Sequence, residues 1–355
     1  MSILNCVRPE LRTLRPYRAA DQVDDTIRLN ANEAPWSNAD ALFRRPLNRY
    51  PEVRPEKLRG MLAEFYGCAP ENLAVTRGTS EGIDLLIRVF CRAEQDAMLT
   101  VAPTFSMYRH YARVQGAGVI EFPTSPENDF AIDVDGLLAR CDESVRLIFI
   151  CSPNNPTGNS VPVDDLVRLL EARSTTSAIV VDEAYVEFSD QASVVDLLQR
   201  FDNLIVLRTL SKALACAGAR CGSVIAAPAI IEILSAVQAP YALATPVVEC
   251  VENALDDDGF NKARRWATEI VSARKTLMND IESLDFVNKV WPSAANFFLL
   301  ESTNADAVLQ YCLQQGVLLR DMSNEIPNCI RITVGSSDEN QRLLYVLRDY
   351  QEASQ

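Results

Sequence analysis

The chain has 355 residues, 48% apolar and 23% charged, an ordinary globular composition with material for one large core and a smaller one. Its formal charge of -14 argues against nucleic acid or an anionic membrane as a partner, because either would repel such a surface. The single histidine, His110, removes most metal sites and weighs against a Ser/His/Asp hydrolase, whose whole mechanism would rest on one residue of SMYRHYARV.

No stretch approaches the roughly 20 apolar residues that cross a bilayer, and the opening MSILNCVRPELRTLRPYR lacks the apolar centre of a secretory signal. A cytoplasmic protein with no membrane partner is expected. The ten cysteines are scattered, form no C-x-x-C pair and often sit in apolar runs, so they read as buried free thiols and not as a disulfide or zinc framework.

Along the chain, short β-branched apolar runs alternate with segments of helical period, the pattern of an α/β fold whose mostly parallel sheet is covered on both faces. Helical spacing marks 80–92. Strands are predicted over 97–102 and 146–151, a helix over 163–172, and strands over 178–182, 204–208 and 223–226. A charge-rich helix over 263–284 is long enough to bridge a large domain to a small one. Beyond it come a strand (296–300), a helix (305–315), two strands (317–320 and 330–334) and a last helix (338–350), an α+β cap. The expected organisation is an arm over 1–30 packed on the cap, a large domain over 31–260 and a small C-terminal domain over 261–355.

Among the five lysines, Lys57, Lys262, Lys275 and Lys289 lie in polar, helix-like surroundings. Lys212 differs, following an apolar strand and preceding small residues in VLRTLSKALACAGAR. An amine held there is partly desolvated, which depresses its pKa and makes it a nucleophile toward an aldehyde. A solvated loop lysine is the plainer alternative. The run AIVVDEAYVEF places Asp182 at the C-terminal end of a buried strand, where open α/β sheets expose their ligand sites. Such a carboxylate can pair with a protonated ring nitrogen, and Tyr185 can hydrogen-bond a phenolic oxygen of the same ring. A helix N-cap and a core tyrosine remain open as the structural alternative.

A second strand ends in CSPNNPTGN, whose Pro and Gly residues force a tight turn and direct the amides of Asn154 and Asn155 back toward the sheet edge. Phosphate recognition has two candidates. Gly78, Thr79 and Ser80 open an apolar helix, where free backbone N–H groups and the helix dipole favour an anion, with N-capping as the rival role. Arg220, in AGARCG, brings a guanidinium capable of bidentate phosphate binding among residues small enough for close approach.

In this order the motifs resemble the fold-type I pyridoxal-5'-phosphate (PLP) aminotransferases, in which a helix-start phosphate loop is followed by N-P-T-G, D-x-x-Y, S-K and a downstream arginine. The segments LNANE (29–33), NRYPE (48–52), RGTSEGIDLLIR (77–88), CSPNNPTG (151–158), DEAYVEF (182–188), RTLSKA (208–213), AGARCG (217–222) and CIRITVG (329–335) narrow this to the histidinol-phosphate aminotransferase family.

The resemblance implies a set of roles. Lys212 would hold PLP as a Schiff base and shuttle the proton at the substrate α-carbon, while Asp182 keeps the ring nitrogen protonated. Tyr185 and Asn155 would bond the ring oxygen. Gly78, Thr79, Ser80, Ser211 and Arg220 would bind the phosphate, and Phe105, in place of the family's common tyrosine, would stack on the ring. Tyr50 resembles the tyrosine that reaches the cofactor phosphate of the neighbouring subunit, which implies a homodimer. Arg331 corresponds to a receptor for the glutamate carboxylate and Arg320 to one for substrate phosphate. Asn155 also faces substrate, and Tyr17 resembles an arm tyrosine that closes over it.

The implied reaction is transamination between L-histidinol phosphate and 2-oxoglutarate, or imidazole-acetol phosphate and glutamate in reverse, in histidine biosynthesis. The same residues would serve an aromatic amino-acid aminotransferase, and the same scaffold a decarboxylase of a phosphorylated amino acid. A ligand-sensing regulator without catalysis is a third class, disfavoured by the acidic chain. No metal is called for.

Overall fold

The computed structural model describes residues 3–17, 30–34, 36, 37, 43–255 and 257–354. Seven strands form the larger sheet: β1 (Leu73–Thr76), β2 (Ala97–Ala102), β3 (Gly118–Pro123), β4 (Val145–Cys151), β5 (Ala178–Asp182), β6 (Leu204–Thr209) and β7 (Gly222–Ala226), in the spatial order β1-β7-β6-β5-β4-β2-β3. The five strands from β6 to β3 run parallel, while β7 is antiparallel to both of its neighbours. The sheet is buried on both faces, as its unbroken Val, Ile and Leu runs require. Helix Gly78–Phe90 covers one face, burying isoleucines and leucines, and helix Val163–Ala172 the other, burying Leu166, Leu169 and Leu170.

A smaller antiparallel sheet follows, comprising β8 (Val287–Val290), β9 (Phe297–Ser302), β10 (Arg320–Asp321) and β11 (Cys329–Thr333) in the order β10-β11-β9-β8. Helices Ala305–Gln314 and Ser337–Ser354 pack with it into a core of their own. The 26-residue helix Asp257–Glu282 joins the two units. Its Ala263 belongs to the core beneath the large sheet, and its Leu277 and Ile281 belong to the small one. Buried Arg274, between them, donates to the carbonyls of Phe188 and Ala295 and so ties the units together.

Two expectations need correction. The predicted strand over 317–320 shrinks to Arg320–Asp321, because Gly316, at φ +80°, closes the preceding helix and Val317 N–H bonds back to Cys312. Leu318 is left 82% exposed, so its apolar character reported no core. The first residues do not pack on the cap. Ile3, Cys6 and Val7 are buried with helix Gly78–Phe90, and Arg8 N–H bonds to Val89. The rest of the expected arm, residues 18–29, lies outside the described residues. Strands β1, β3 and β8 and helix Glu56–Tyr66 were not read from the sequence at all. Every one of the ten cysteines is free, and no described helix is long and apolar enough to cross a membrane.

Candidate active site

Parallel β4, β5 and β6 end together, and their C-terminal ends open on a cleft of about 430 Å³. In register, Cys151 sits beside Asp182 and Asp182 beside Leu207, so motifs separated by tens of residues meet at one edge. His110 is exposed on helix Met107–Gln115 and lies away from the cleft lining.

Asp182 forms the floor. It is 2% exposed; its Oδ2 accepts from Tyr108 Oη at 2.8 Å and its Oδ1 from Ala184 N at 3.1 Å. Burial pushes its carboxyl up to about 6, against the opposing effect of these donors and of Lys212. Tyr185 stands next to it, with Asn155 Nδ2 donating to its hydroxyl at 3.3 Å; burial raises that phenol above the ordinary tyrosine value. Both side chains thus line the cleft; Asp182 caps no helix, while Tyr185 is also packed in the core against Phe188 and Phe297.

Lys212 projects over the Tyr185 ring, Nζ 5.5 Å from the centroid. The side chain is reachable from solvent but ringed by protein atoms, and its amine is held below the usual lysine range, first by burial and then by the positive charges of Arg331 and Arg220. Lys57, Lys262 and Lys289 instead pair with Glu252, Asp258 and Asp129. Lys212 alone among the lysines faces the cleft.

At one end, Thr79 and Ser80 begin helix Gly78–Phe90 with their side chains on the cleft, and neither hydroxyl caps the helix. Glu81 does so instead, accepting from Arg77 N at 2.6 Å. Arg220 Nη1 donates to Ser211 Oγ at 3.4 Å and Ala217 O at 3.2 Å, and its guanidinium lies against Gly78. The resulting cluster of hydroxyls, a guanidinium and a helix N-terminus has the donor chemistry of a phosphate cradle.

The opposite wall comes from the small unit. Arg320 and Arg331 are cross-strand partners in β10 and β11, and both reach the cleft. Arg331 Nη1 donates to Asn155 Oδ1 and its guanidinium lies 5.2 Å from the Phe297 ring, whereas its buried Nε has no partner. Phe105 lines the wall between, edge-on to Tyr108. Asn154 departs from the sequence reading. Its amide donates to Pro103 O and Thr157 Oγ1 and accepts from Thr104, so it builds the turn and leaves Asn155 to face the cleft.

Tyr17 and Tyr50 are not brought to the cleft. Both are exposed and meet instead at Tyr241, with Tyr50 stacked on it at 4.7 Å and Tyr17 edge-on at 6.2 Å. Tyr108, behind Asp182, and Thr209 and Glu325, on the cleft, are among the residues that escaped the sequence reading. Tyr108 carried a signal, three positions after Phe105 on a helical face. Thr209, which accepts from Ser211 N, would have emerged had β6 been drawn one residue longer. Glu325, in the turn after β10, gave none.

The cleft suits PLP. A buried carboxylate, a partly desolvated amine and a cationic, hydroxyl-rich cradle share one cleft, and these are the groups that the cofactor's ring nitrogen, aldehyde and phosphate call for. Residues 20–347 match the sequence profile of the family "Aminotransferase class I and II". The chain is 42% identical to histidinol-phosphate aminotransferase of Xylella fastidiosa, over 99% of this chain and 97% of that one. The structure of histidinol-phosphate aminotransferase from Clostridium acetobutylicum superposes with a TM-score of 0.78 at 22% identity, covering 86% of this chain and 92% of that one. The Sinorhizobium meliloti enzyme, in complex with pyridoxal-5'-phosphate, superposes with a TM-score of 0.76 at 23% identity, covering 87% and 84%. The chain belongs to the histidinol-phosphate aminotransferase family, within the class I and II aminotransferases.

Proposed function

We propose that the cleft carries out PLP-dependent transamination between L-histidinol phosphate or imidazole-acetol phosphate and 2-oxoglutarate or glutamate, a step of histidine biosynthesis. The observation that carries this reading is one partly desolvated lysine, Lys212, in a cleft shared with a buried carboxylate and an arginine-lined wall. PLP supplies an aldehyde that condenses with amines and a ring that accepts the electron pair released at the α-carbon.

The protein's part follows from its residues. Lys212, its amine held below the usual lysine range, would hold the cofactor through its aldehyde and carry the proton between the substrate α-carbon and the cofactor. Asp182 keeps a proton on the ring nitrogen, and Tyr185 with Asn155 bonds the ring oxygen. Phe105 covers one ring face. Gly78, Thr79, Ser80, Ser211 and Arg220 hold the cofactor phosphate. Arg331 receives the substrate carboxylate and Arg320 the substrate phosphate, so one wall serves both anionic substrates.

The exposed aromatic group of Tyr17, Tyr50 and Tyr241 accords with a homodimer in which Tyr50 reaches the partner's cofactor phosphate, while Tyr17 closes over substrate. Cytoplasmic residence accords with the absence of a membrane-spanning helix among the described residues. Small soluble substrates, and neither nucleic acid nor membrane, are the partners.

The test is a half-reaction. PLP-loaded protein mixed with glutamate should convert spectrally to the pyridoxamine form, and that form should be reoxidised by imidazole-acetol phosphate. Steady-state kcat/KM should favour histidinol phosphate over phenylalanine. No conversion with glutamate, or carbon dioxide release without a keto acid, would overturn the reading.

A further inference from the structure

Tyr108 is fully buried, yet its hydroxyl is not placed for core packing alone. The ring is fixed on three sides. It stacks on Phe149 with centroids 4.8 Å apart and planes at 15°, meets Phe105 edge-on at 5.7 Å, and belongs to helix Met107–Gln115. Its hydroxyl can therefore point in few directions, and it donates to Asp182 Oδ2 at 2.8 Å. Ala184 N occupies Oδ1, and Asp182 still lines the cleft. The other titratable groups acting on Asp182 and Tyr108 from neighbouring elements are Lys212, Tyr185 and Cys151. None of these is shown bonded to Oδ2.

We propose that Tyr108 is a positioning residue for the cofactor: its rigid, buried hydroxyl holds the Asp182 carboxylate in the orientation and charge state that place a proton on the cofactor ring nitrogen. The proposal rests on the reading that Asp182 faces that nitrogen. The physical reason is the cost of an ionised carboxylate in a dry site. Burial alone drives Asp182 toward its neutral form, and a neutral acid is a poor partner for a pyridinium. A hydrogen bond to the anion opposes this, and charge-assisted bonds of this kind are the strong ones. Phe105, which lines the cleft wall, rests on the same tyrosine, so one side chain sets both the ring-facing wall and the acid below it.

The test uses holoprotein reconstituted with PLP labelled with ¹⁵N in the pyridine ring. Tyr108→Phe keeps the stacked ring and removes only the hydroxyl. Its ¹⁵N resonance should move from the pyridinium toward the neutral pyridine position, and PLP affinity should fall about tenfold, the value of one hydrogen bond to a charged group. In an Asp182→Asn background the same substitution should change neither quantity by more than about twofold, because the carboxylate through which Tyr108 acts is gone. Should Tyr108→Phe fail to fold, as judged by circular dichroism, 3-fluorotyrosine at position 108 makes the hydroxyl a stronger donor and should shift both readouts the other way.

A wild-type resonance and affinity in Tyr108→Phe overturns the proposal, as does a further tenfold loss in the double variant. If Asp182→Asn by itself leaves the resonance unchanged, the placement of Asp182 against the ring fails first and takes the proposal with it.

Discussion

The guanidinium of Arg220 lies against the backbone of Gly78, so closely that a Cβ at position 78 would come within 2.6 Å of Nη2. Gly78 also adopts φ +75°, a conformation that side chains disfavour. Gly78→Ala should cost about 1–3 kcal/mol of stability and displace Arg220 from the helix N-terminus. Denaturant unfolding and PLP titration check this; unchanged cofactor affinity would remove Arg220 and Gly78 from the phosphate cradle.

Lys212→Ala should retain the native circular dichroism spectrum while turnover falls by more than about 10³-fold, since both the nucleophile and the proton carrier are lost. A variant that still turns over at a tenth of the wild-type rate would exclude the proposed chemistry, and one that merely loses its cofactor absorbance would fit a ligand sensor only if the wild type were also inactive.

Asp182 gives a pH dependence with a defined sign. Its carboxyl, raised from 3.8 to about 6, binds protons more tightly in the folded apoprotein than in the unfolded chain. The stabilisation from the protonated form is complete below the unfolded value and is lost as pH rises through about 6, amounting to about 3 kcal/mol. Apoprotein stability measured against pH should therefore fall between about 4 and 6 relative to Asp182→Asn, then run parallel to it. Parallel curves throughout would show that the site does not desolvate this acid.

Beneath the site, Arg208 is buried between Glu183 and Glu187, with Nη1 at 3.3 Å and Nη2 at 2.6 Å from them, over the ring of Tyr66. Arg208→Met strands Glu183, 2% exposed, without its cation, and should destabilise the fold by about 3–5 kcal/mol. Thermal unfolding decides the point, and a loss below about 1 kcal/mol would mean that the glutamates simply take up protons.

If Tyr50 serves a neighbouring subunit, Tyr50→Ala and Lys212→Ala should complement each other. Mixing the two impaired proteins and allowing subunits to exchange should restore up to about a quarter of wild-type activity, because half the dimers then carry one intact site. Sedimentation of a monomer, or no recovery on exchange, would end the two-subunit reading.

The sequence made the buried strands and the site motifs legible because each obeys a local rule. β4, β5 and β6 are continuous apolar runs, and Asp182, Asn155 and Lys212 follow strand ends, where parallel sheets present their ligands. What stayed hidden depends on long-range context. β3 is a half-exposed edge whose alternating polarity and terminal proline dilute the strand signal, and β1 is only four residues long. Tyr108 gave no sign of its partner, since nothing nearby in sequence announces an acid 74 positions away. Leu318 misled in the opposite sense, an apolar residue of the chain 82% open to solvent.

The rung that pairs Arg320 with Arg331 sits on the minor sheet, and among the described residues it is held to the larger body within the cleft by the bond from Arg331 to Asn155 across 176 residues of chain. On the proposed function, amine chemistry and choice of clientele are housed on separate scaffolds. If that assignment holds, rewriting the turn that follows Arg320, including Met322 and Glu325, retunes which acids are welcomed while the strand ends bearing Asp182 and Lys212 stay as they are.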